Sequence, residues 1–552
     1  MSQTHPSRRS RIAVAGTAGV LALAGSVVAA LPAGAAGGNG CDHRTNNTVA
    51  KLTDCVTLEG VMEHLEAFQG IADANGDTRA SGTPGYTASA DHVEHRLEDA
   101  GWTVTRQPFE FPYFQQASSA FAGVAPTATP YVEGTDYAVA TYSGSGDVTA
   151  AVQAVDVTIP PVGEANGNTS GCEATDFTGF TAGNIALLQR GTCAFGIKAQ
   201  NAAAAGAAGV VLFNEGQPGR DALLSPTLGA PLTTPIPVVG VSHATGVELS
   251  RAGTTVRIQV DAVSEIRETE NVIAELPGRT TDNVVMAGAH LDSVPEGPGI
   301  NDNGSGSAGL IEVAENLSKV KPTNTIRFAW WGAEELGLLG SNEYVASLQG
   351  PEGEPTPELE RIGLYLNFDM IGSPNFARFI YDGDQSTFPA PAGVPVPEGS
   401  AQIEYVFEDF YESRGLYYEG TEFSGRSDYQ AFIGAGIPSG GLFTGAEVLK
   451  QDHQVPLYGG EAGVAYDPDY HQAGDDIGNV DEKALDQNSD AVAYAVLTLA
   501  YDSARVNGVS GRPVPGGTFE GDPAARQYRV ERDEQAGGGG LHADHDHGGV
   551  GV

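Results

Sequence analysis

The chain has 552 residues, which at about 150 residues per domain suggests roughly three domains. Hydrophobic residues make up 41% of it, enough for large buried cores, so a mainly disordered protein is excluded. Against 29 Lys and Arg residues stand 70 Asp and Glu residues, a formal net charge of −41. Because so acidic a surface repels phosphate backbones and anionic lipids, no nucleic-acid or membrane partner is expected.

The first residues have the pattern of a secretory signal peptide. Three arginines precede an apolar stretch over residues 12–31, and small residues follow it. We therefore expect residues 1–36 to be a signal peptide and residues 37–56 to be an N-terminal segment of a secreted, extracellular protein. The Arg8-Arg9 pair leaves open whether export uses the Sec or the twin-arginine route.

The four cysteines fit export, because disulfides persist in oxidising compartments. They can pair in more than one way. Local pairing, Cys41 with Cys55 and Cys172 with Cys193, is the simplest arrangement, since each bond closes a short loop. A thiol metal site is disfavoured because no histidine cluster accompanies the cysteines.

Two amphipathic helices are predicted early in the mature chain. Apolar residues recur at helical spacing after Thr57 and again over residues 90–97, and Gly101 ends the second helix. Residues 102–106 then alternate like a strand. We assign residues 57–115 to the first part of a discontinuous α/β domain.

The pattern of apolar runs and turn residues changes between residues 116 and 263. Short β-like runs there are separated by Gly, Pro and Thr, and one helix is obvious, around residues 196–206. This pattern predicts an inserted β-rich domain over residues 116–263.

Strands and helices alternate after the insert. Apolar runs at residues 284–289, 325–331 and 363–368 are typical of buried parallel strands. We expect residues 264–510 to complete a doubly wound, mostly parallel α/β sheet, with functional residues at the carboxyl ends of the strands. The composition of residues 511–552 predicts a disordered Gly/His/Asp-rich tail.

Three successive predicted strands end in groups that can bind a metal or transfer a proton. His290 and Asp292 end the first strand, Glu334 and Glu335 follow the second, and Asp369 follows the third. One such group alone is more often structural, but the joint pattern indicates a site.

Loops supply two further candidates, Asp302 and, far downstream, His471. Two imidazoles and three carboxylates suit a pair of borderline-soft divalent ions such as zinc. Five ligands exceed what one catalytic zinc needs, so two metals sharing a bridging carboxylate are expected. The spare member of the Glu334–Glu335 pair is then the candidate general base.

The motifs around these residues resemble those of the secreted double-zinc leucyl aminopeptidases of actinomycete type, zinc-dependent exopeptidases with an inserted protease-associated domain. The resemblance covers residues 57–506, and residues 184–214 resemble the protease-associated domain itself. The motifs that carry it are GAHLDS, NDNGSGSAG, WWGAEELGLLGS, LNFDMIG, GRSDYQAF, GIPSGGLFTGAE and DYHQAGD.

The resemblance implies a division of the ligands between two zinc ions. His290 and Asp369 would hold one ion, Glu335 and His471 would hold the other, and Asp302 would bridge them. Glu334 would be the general base.

Further roles follow from the same resemblance. Asp292 would orient His290 through a hydrogen bond, Tyr470 would donate to the developing oxyanion, and Arg426 would contact the substrate. Asp486 and Asp490 match a calcium site of some relatives, and a solvated acidic face explains them equally well.

The leading hypothesis is a monomeric metallo-aminopeptidase that removes N-terminal residues, preferentially bulky apolar ones such as Leu, from peptides and proteins with a free N-terminus. A carboxypeptidase or a glutaminyl cyclase on the same fold remains an alternative, and the cyclase is expected to use one metal. A receptor-like binding protein is the alternative from another class. It would have to lack ligands, and none of the five is missing.

Overall fold

The computed structural model divides the chain after His43. Of the first unit, only His43 and the short helix α1 are described, and the rest of this section concerns the unit that begins at Arg44. The predicted signal peptide and most of the predicted tail lie outside the described residues. Those residues are 38–41, 43–389, 396–517 and 526–530.

The strands of the described residues belong to one sheet of 14 strands. In chain order they are β1 Thr103–Ala125, β2 Thr129–Pro130, β3 Tyr137–Val139, β4 Gly146–Ala154, β5 Ile185–Gln189, β6 Gly209–Phe213, β7 Val238–Val241, β8 Thr255–Leu276, β9 Val284–His290, β10 Thr325–Trp331, β11 Ile362–Phe368, β12 Phe379–Tyr381, β13 Glu419–Thr421 and β14 Ser439–Phe443.

The α-helices are short in the loops and long where they cover the sheet. In chain order they are α1 Gly38–Cys41, α2 Val49–Thr53, α3 Leu58–Ala74, α4 Pro84–Ala100, α5 Phe195–Ala204, α6 His243–Leu249, α7 Gly306–Leu317, α8 Leu339–Ser347, α9 Pro357–Glu360, α10 Ser400–Arg414, α11 Tyr429–Gly434, α12 Val455–Tyr458, α13 Glu482–Tyr501 and α14 Ala504–Asn507.

Parallel strands form the middle of the sheet in the order β10, β9, β11 and β14. The strands β8 and β12 flank this block and run antiparallel to it. One face packs against a large core that includes residues of α3, α4, α7 and α13, and the other face packs against α8 and α11. The predicted doubly wound, mostly parallel α/β sheet is therefore confirmed.

The inserted part has a sheet region of its own. Its strands β4, β5, β6 and β7 are parallel neighbours, and β3 closes the edge in the antiparallel sense. Two apolar clusters lie among these elements, one of them against α5.

A long antiparallel ribbon joins the insert to the central sheet. β1 has 23 residues and pairs with β8 along its length, whereas the sequence indicated only a short strand at residues 102–106. Pro108 and Pro112 obscured the strand signal, and β1 tolerates them because near these prolines it pairs only with β8. The expected boundary at residue 116 falls inside β1, where the register shifts between Gln116 and Ser118.

Local signals read from the sequence mark the helix ends of the first segment. The Thr57 side chain accepts a hydrogen bond from the backbone N–H of Gly60 and caps α3. Gly101 ends α4 with a left-handed φ of 95°. Among the described residues, no helix combines the length and apolar character needed to cross a bilayer.

Part of the predicted tail is ordered against the domain. Arg526 Nη1 lies 2.7 Å from Asp409 Oδ1, and Arg526 Nε lies 3.0 Å from Glu408 Oε2, both on α10. The Arg526 side chain is 7% exposed. Residues 526–530 are therefore ordered, contrary to the expected disorder of the tail. Arg526 pairs with carboxylates on α10, and such contacts cannot be predicted from composition.

The structure joins Cys172 to Cys193, with Cα atoms 5.8 Å apart. Cys41 and Cys55 are also disulfide-bonded, and no cysteine among the described residues is free. The Cys172–Cys193 bond spans 21 residues of sequence and encloses β5.

Replacing Cys172 and Cys193 by Ser should loosen the insert and leave the central sheet intact. A bond that closes a loop of this length contributes about 3 kcal/mol by restricting the unfolded chain. We expect amide exchange in β5 and β6 to accelerate by about two orders of magnitude, with β9 unchanged, in hydrogen-exchange mass spectrometry. Unaltered exchange in β5 would contradict this account.

Candidate metal centre

Three parallel strands end side by side and deliver the predicted residues. His290 is the last residue of β9, the Glu334–Glu335 pair follows β10 within four residues, and Asp369 directly follows β11. Because β9 lies between β10 and β11, their carboxyl ends share one edge of the sheet. All four side chains therefore reach one small cavity.

Asp302 lies between the two histidines of the site. Its Oδ1 is 3.2 Å from His290 Nε2, and its Oδ2 is 3.2 Å from His471 Nε2. The two carboxylate oxygens thus face different imidazoles. The Asp302 side chain is 6% exposed, so this arrangement is shielded from solvent.

Each imidazole has a second carboxylate partner. Asp369 Oδ1 lies 3.3 Å from His290 Nε2, and Glu335 Oε2 lies 3.0 Å from His471 Nε2. Asp369 Oδ1 and Glu335 Oε1 are buried and have no hydrogen-bond partner among the described residues. Buried carboxylate oxygens without donors, grouped around imidazole nitrogens, are the donor set that a divalent cation requires.

The electrostatics of the cluster also favour cations. Burial lowers the pKa of His471, but Glu335 and Asp302 raise it more strongly, to about 11. Burial lowers the pKa of His290 as well, and the charges of Glu334 and Asp369 leave it well above its ordinary value. Burial raises the pKa of Glu335 to about 7, against the opposing effect of His471. The carboxylates of this cluster therefore favour added positive charge, which a bound cation can supply.

Glu334 and Asp292 lie behind His290. Glu334 is 6% exposed, and its Oε2 is 4.0 Å from His290 Nε2. The ligand atoms of His290, Glu334 and Asp369 lie within 4.8 Å of one another, as do those of His290, Asp302 and Glu335. Both members of the glutamate pair therefore reach the ligand cluster.

Asp292 holds His290 in a different way from the one expected. His290 Nδ1 lies 3.1 Å from the backbone carbonyl oxygen of Asp292, whereas the carboxylate is 3.7 Å away. The Asp292 carboxylate instead accepts a hydrogen bond from the backbone N–H of Glu334, at 3.2 Å. Asp292 thus connects the histidine to the backbone of the candidate base.

Tyr470 and Arg426 complete one wall of the cavity. The Tyr470 ring stacks on the His471 ring with centroids 3.8 Å apart. Arg426 Nη2 lies 3.4 Å from Tyr470 Oη. Both side chains line the cavity with the ligands, and apolar walls are added by Met370, Phe443 and Ala446.

The backbone is left-handed at three non-glycine positions in this centre. Ala333, Met370 and His471 have φ values of 53°, 51° and 58°. Such conformations cost of order 1–3 kcal/mol each, and packing must hold them. They turn the chain at the ends of β10 and β11 and at the His471 loop, where side chains must point into the cavity.

Sequence reasoning missed the residues that hold the Asp302 loop. Asp475 accepts hydrogen bonds from the backbone N–H groups of Asn301, at 2.8 Å, and Asp302, at 3.0 Å. Asp467 accepts from the Asn301 side chain at 2.6 Å. Both aspartates flank the Tyr470–His471 pair in sequence, so they join the loop of the second histidine to the loop of the shared carboxylate.

Arg79 is a second missed residue. It is fully buried, and its guanidinium donates to the backbone carbonyl oxygens of Leu291, Pro298 and Gly299. These residues enclose the segment between β9 and Asp302. No local signal marks Arg79, because its partners are more than 200 positions away in the sequence.

Ser427, within the quoted GRSDYQAF motif, contacts the candidate ligand Asp369. Its hydroxyl donates to Asp369 Oδ2 at 2.6 Å and receives a hydrogen bond from the Asn367 side chain at 2.8 Å. The motif therefore includes a residue that orients Asp369, besides the candidate substrate contact Arg426.

The possible calcium site stays a prediction. Asp490 Oδ2 pairs with Arg414 Nη1 at 3.1 Å. Burial raises the pKa of Asp490 to about 6, with Arg414 opposing. Among the described residues, Asp486 and Asp490 belong to no group of three clustered ligands.

Comparison with known proteins identifies the family. The family model described as Peptidase family M28 matches residues 271–496. An aminopeptidase of Pseudomonas aeruginosa (strain UCBPP-PA14) is 47% identical over 464 residues, which is 84% of each chain. The chain belongs to peptidase family M28.

The predicted class of enzyme, an aminopeptidase of this family, is confirmed by such relatives. The protein named leucine aminopeptidase 2 of Trichophyton tonsurans is 41% identical over 454 residues, covering 81% of this chain and 85% of its own. The PA domain model matches residues 152–249, which confirms the inserted protease-associated domain.

Among solved structures, an aminopeptidase from Aneurinibacillus sp. strain AM-1 has a similar fold. Its TM-score is 0.58 at 25% identity, with 88% of this chain and 100% of the other covered. The zinc-dependent exopeptidase fold expected from the sequence is thereby confirmed.

Asp475→Asn should weaken metal binding without unfolding the protein. The amide cannot accept both backbone hydrogen bonds, so the Asp302 loop loses one anchor. Residues that orient metal ligands typically contribute about 10- to 100-fold to affinity. Zinc titration of metal-free protein against a chromophoric chelator measures the loss. Asp476→Asn, at the exposed neighbouring position, is the matched control. Equal affinities for the two variants would refute the assigned role.

Proposed function

We propose that this protein is a secreted aminopeptidase that uses two zinc ions to hydrolyse the N-terminal peptide bond of peptides and proteins. His290 and Asp369 would hold one ion, Glu335 and His471 the other, and Asp302 would be shared. The Cys172–Cys193 bond supports export, because such bonds persist in oxidising compartments.

The observation that carries this proposal is the position of Asp302. Its two oxygens lie at equal distances, 3.2 Å, from the Nε2 atoms of two different histidines. A carboxylate that faces one histidine with each oxygen is placed as a ligand shared between two ions would be. The pattern therefore favours a two-metal peptidase over a one-metal cyclase, and the complete ligand set speaks against a binding protein without catalysis.

When bound, the two ions would supply Lewis acidity that polarises the scissile carbonyl and acidifies the attacking water. Glu334 would accept a proton from the attacking water and pass it to the leaving amine. Its position supports this role, because Asp292 fixes its backbone and its carboxylate lies beside the ligands without pairing closely with a histidine.

Other residues bind the substrate. The Tyr470 phenol donates a hydrogen bond to the carbonyl oxygen as negative charge develops there. Carboxylates that line the cavity, Glu334 among them, receive the free α-ammonium group. Met370, Phe443 and Ala446 form apolar walls, which favour a bulky apolar N-terminal side chain such as that of Leu.

The test combines metal analysis with matched substrates. We expect two zinc ions per chain, loss of activity on chelation, and hydrolysis of Leu 4-nitroanilide but not of acetyl-Leu 4-nitroanilide. The acetyl group removes the positive charge that the acidic cavity attracts. One zinc at full activity would disprove the two-metal account, and equal cleavage of both anilides would disprove the exopeptidase account.

Glu334→Gln should remove most activity while both metals stay bound. Gln keeps the shape of the side chain but cannot accept a proton, so we expect kcat to fall by about 10²–10⁴-fold. Glu335→Gln is the matched variant at the neighbouring position and should instead lower zinc content. Metal analysis and steady-state kinetics on both variants decide. If Glu334→Gln lost metal and Glu335→Gln did not, the two roles would be exchanged.

A further inference from the structure

Arg426 brings a positive charge to the wall of the cavity. Its side chain is 15% exposed and lines the cavity beside Glu334 and Tyr470. A substrate with a free N-terminus carries a positive charge of its own. Like charges in one partly buried cavity repel each other, and solvent screens them only weakly. The guanidinium therefore needs a negatively charged partner of its own. The other carboxylates of the cavity then stay available for the ammonium group of the substrate.

Glu447 supplies this counter-charge. Glu447 Oε1 lies 2.9 Å from Arg426 Nη1, and the Glu447 side chain is also 15% exposed. Its other oxygen, Oε2, is buried and accepts no hydrogen bond from the described residues. Glu447 directly follows Ala446, which lines the cavity, so the pair lies at the cavity wall.

The ion pair also fixes the guanidinium in space. Arg426 Nη2 is 3.4 Å from Tyr470 Oη, and Tyr470 stacks on His471. A guanidinium held between a carboxylate and a phenol is neutralised and turned toward the tyrosine. Without the carboxylate, the same group would offer an unbalanced positive charge to the bound N-terminal residue.

We propose that Glu447 is a positioning and specificity-determining residue. By neutralising Arg426, it makes the cavity accept N-terminal residues with uncharged side chains and discriminate against those with a carboxylate side chain. This inference rests on the proposed aminopeptidase function and deepens it.

The test compares kcat/KM for Leu 4-nitroanilide with that for Glu 4-nitroanilide. In Glu447→Gln we expect the Leu-to-Glu ratio to fall about tenfold, mainly through KM, because the freed guanidinium attracts the carboxylate side chain. Glu447→Asp keeps the charge and should retain the wild-type ratio. Arg426→Gln leaves the Glu447 charge unbalanced and should raise the ratio, and the double variant Arg426→Gln/Glu447→Gln should bring it back toward the wild-type value.

The opposite shifts expected for Glu447→Gln and Arg426→Gln keep the test decisive if one variant folds poorly. A loss of rate on both anilides at an unchanged ratio would show that Glu447 is merely structural and would overturn the inference. Wild-type protein that cleaves neither anilide would overturn the proposed function itself. Active wild-type protein whose ratio does not respond to either substitution would overturn only the role of Glu447.

Discussion

The carboxylate of Asp302 is held between two imidazoles, and the rest of the centre is arranged around it. Each oxygen faces one histidine, and each histidine faces one further carboxylate. So many buried acidic groups repel one another, and bound cations would balance their charge. The loop that carries Asp302 therefore has to be anchored from outside the cluster, and Asp475 and Arg79 provide the anchors.

The α/β fold explains how such a cluster forms from distant residues. Parallel neighbours bring the ends of β9, β10 and β11 to one edge, so His290, Glu334 and Asp369 meet without any local sequence contact. The left-handed turns at Ala333, Met370 and His471 then aim the side chains inward. At Ala333 and Met370 such strain persists because β10 and β11, the strands before these residues, are packed on both faces.

The inserted domain is tied to this scaffold through β8. The first half of that strand pairs with β4 of the insert, and its second half pairs with β10 of the central sheet. β1 accompanies it along its length. Because backbone hydrogen bonds continue from the insert to the strand next to β9, the insert is joined to the catalytic sheet by more than a flexible linker.

The sequence by itself determined the parts that depend on local periodicity and on residue type. Alternation of helices with apolar runs predicted the doubly wound sheet. His, Asp and Glu residues at the ends of predicted strands predicted the candidate centre. The helix caps at Thr57 and Gly101 could be predicted for the same reason, since a cap is a contact between near neighbours in sequence.

Only the tertiary structure decided which partners hold these residues in place. The prolines of β1 concealed a long strand. A strand tolerates proline where one of its edges is unpaired, and the sequence does not show which edges are unpaired. Asp475 and Glu447 end the motifs DYHQAGD and GIPSGGLFTGAE, but the motifs do not show what these residues contact, and Arg79 lies in no quoted motif. The importance of all three residues comes from contacts with distant loops. Hydrogen bonds and ion pairs between residues far apart in sequence produce no periodic pattern in the chain. Their geometry exists only after the strands have packed.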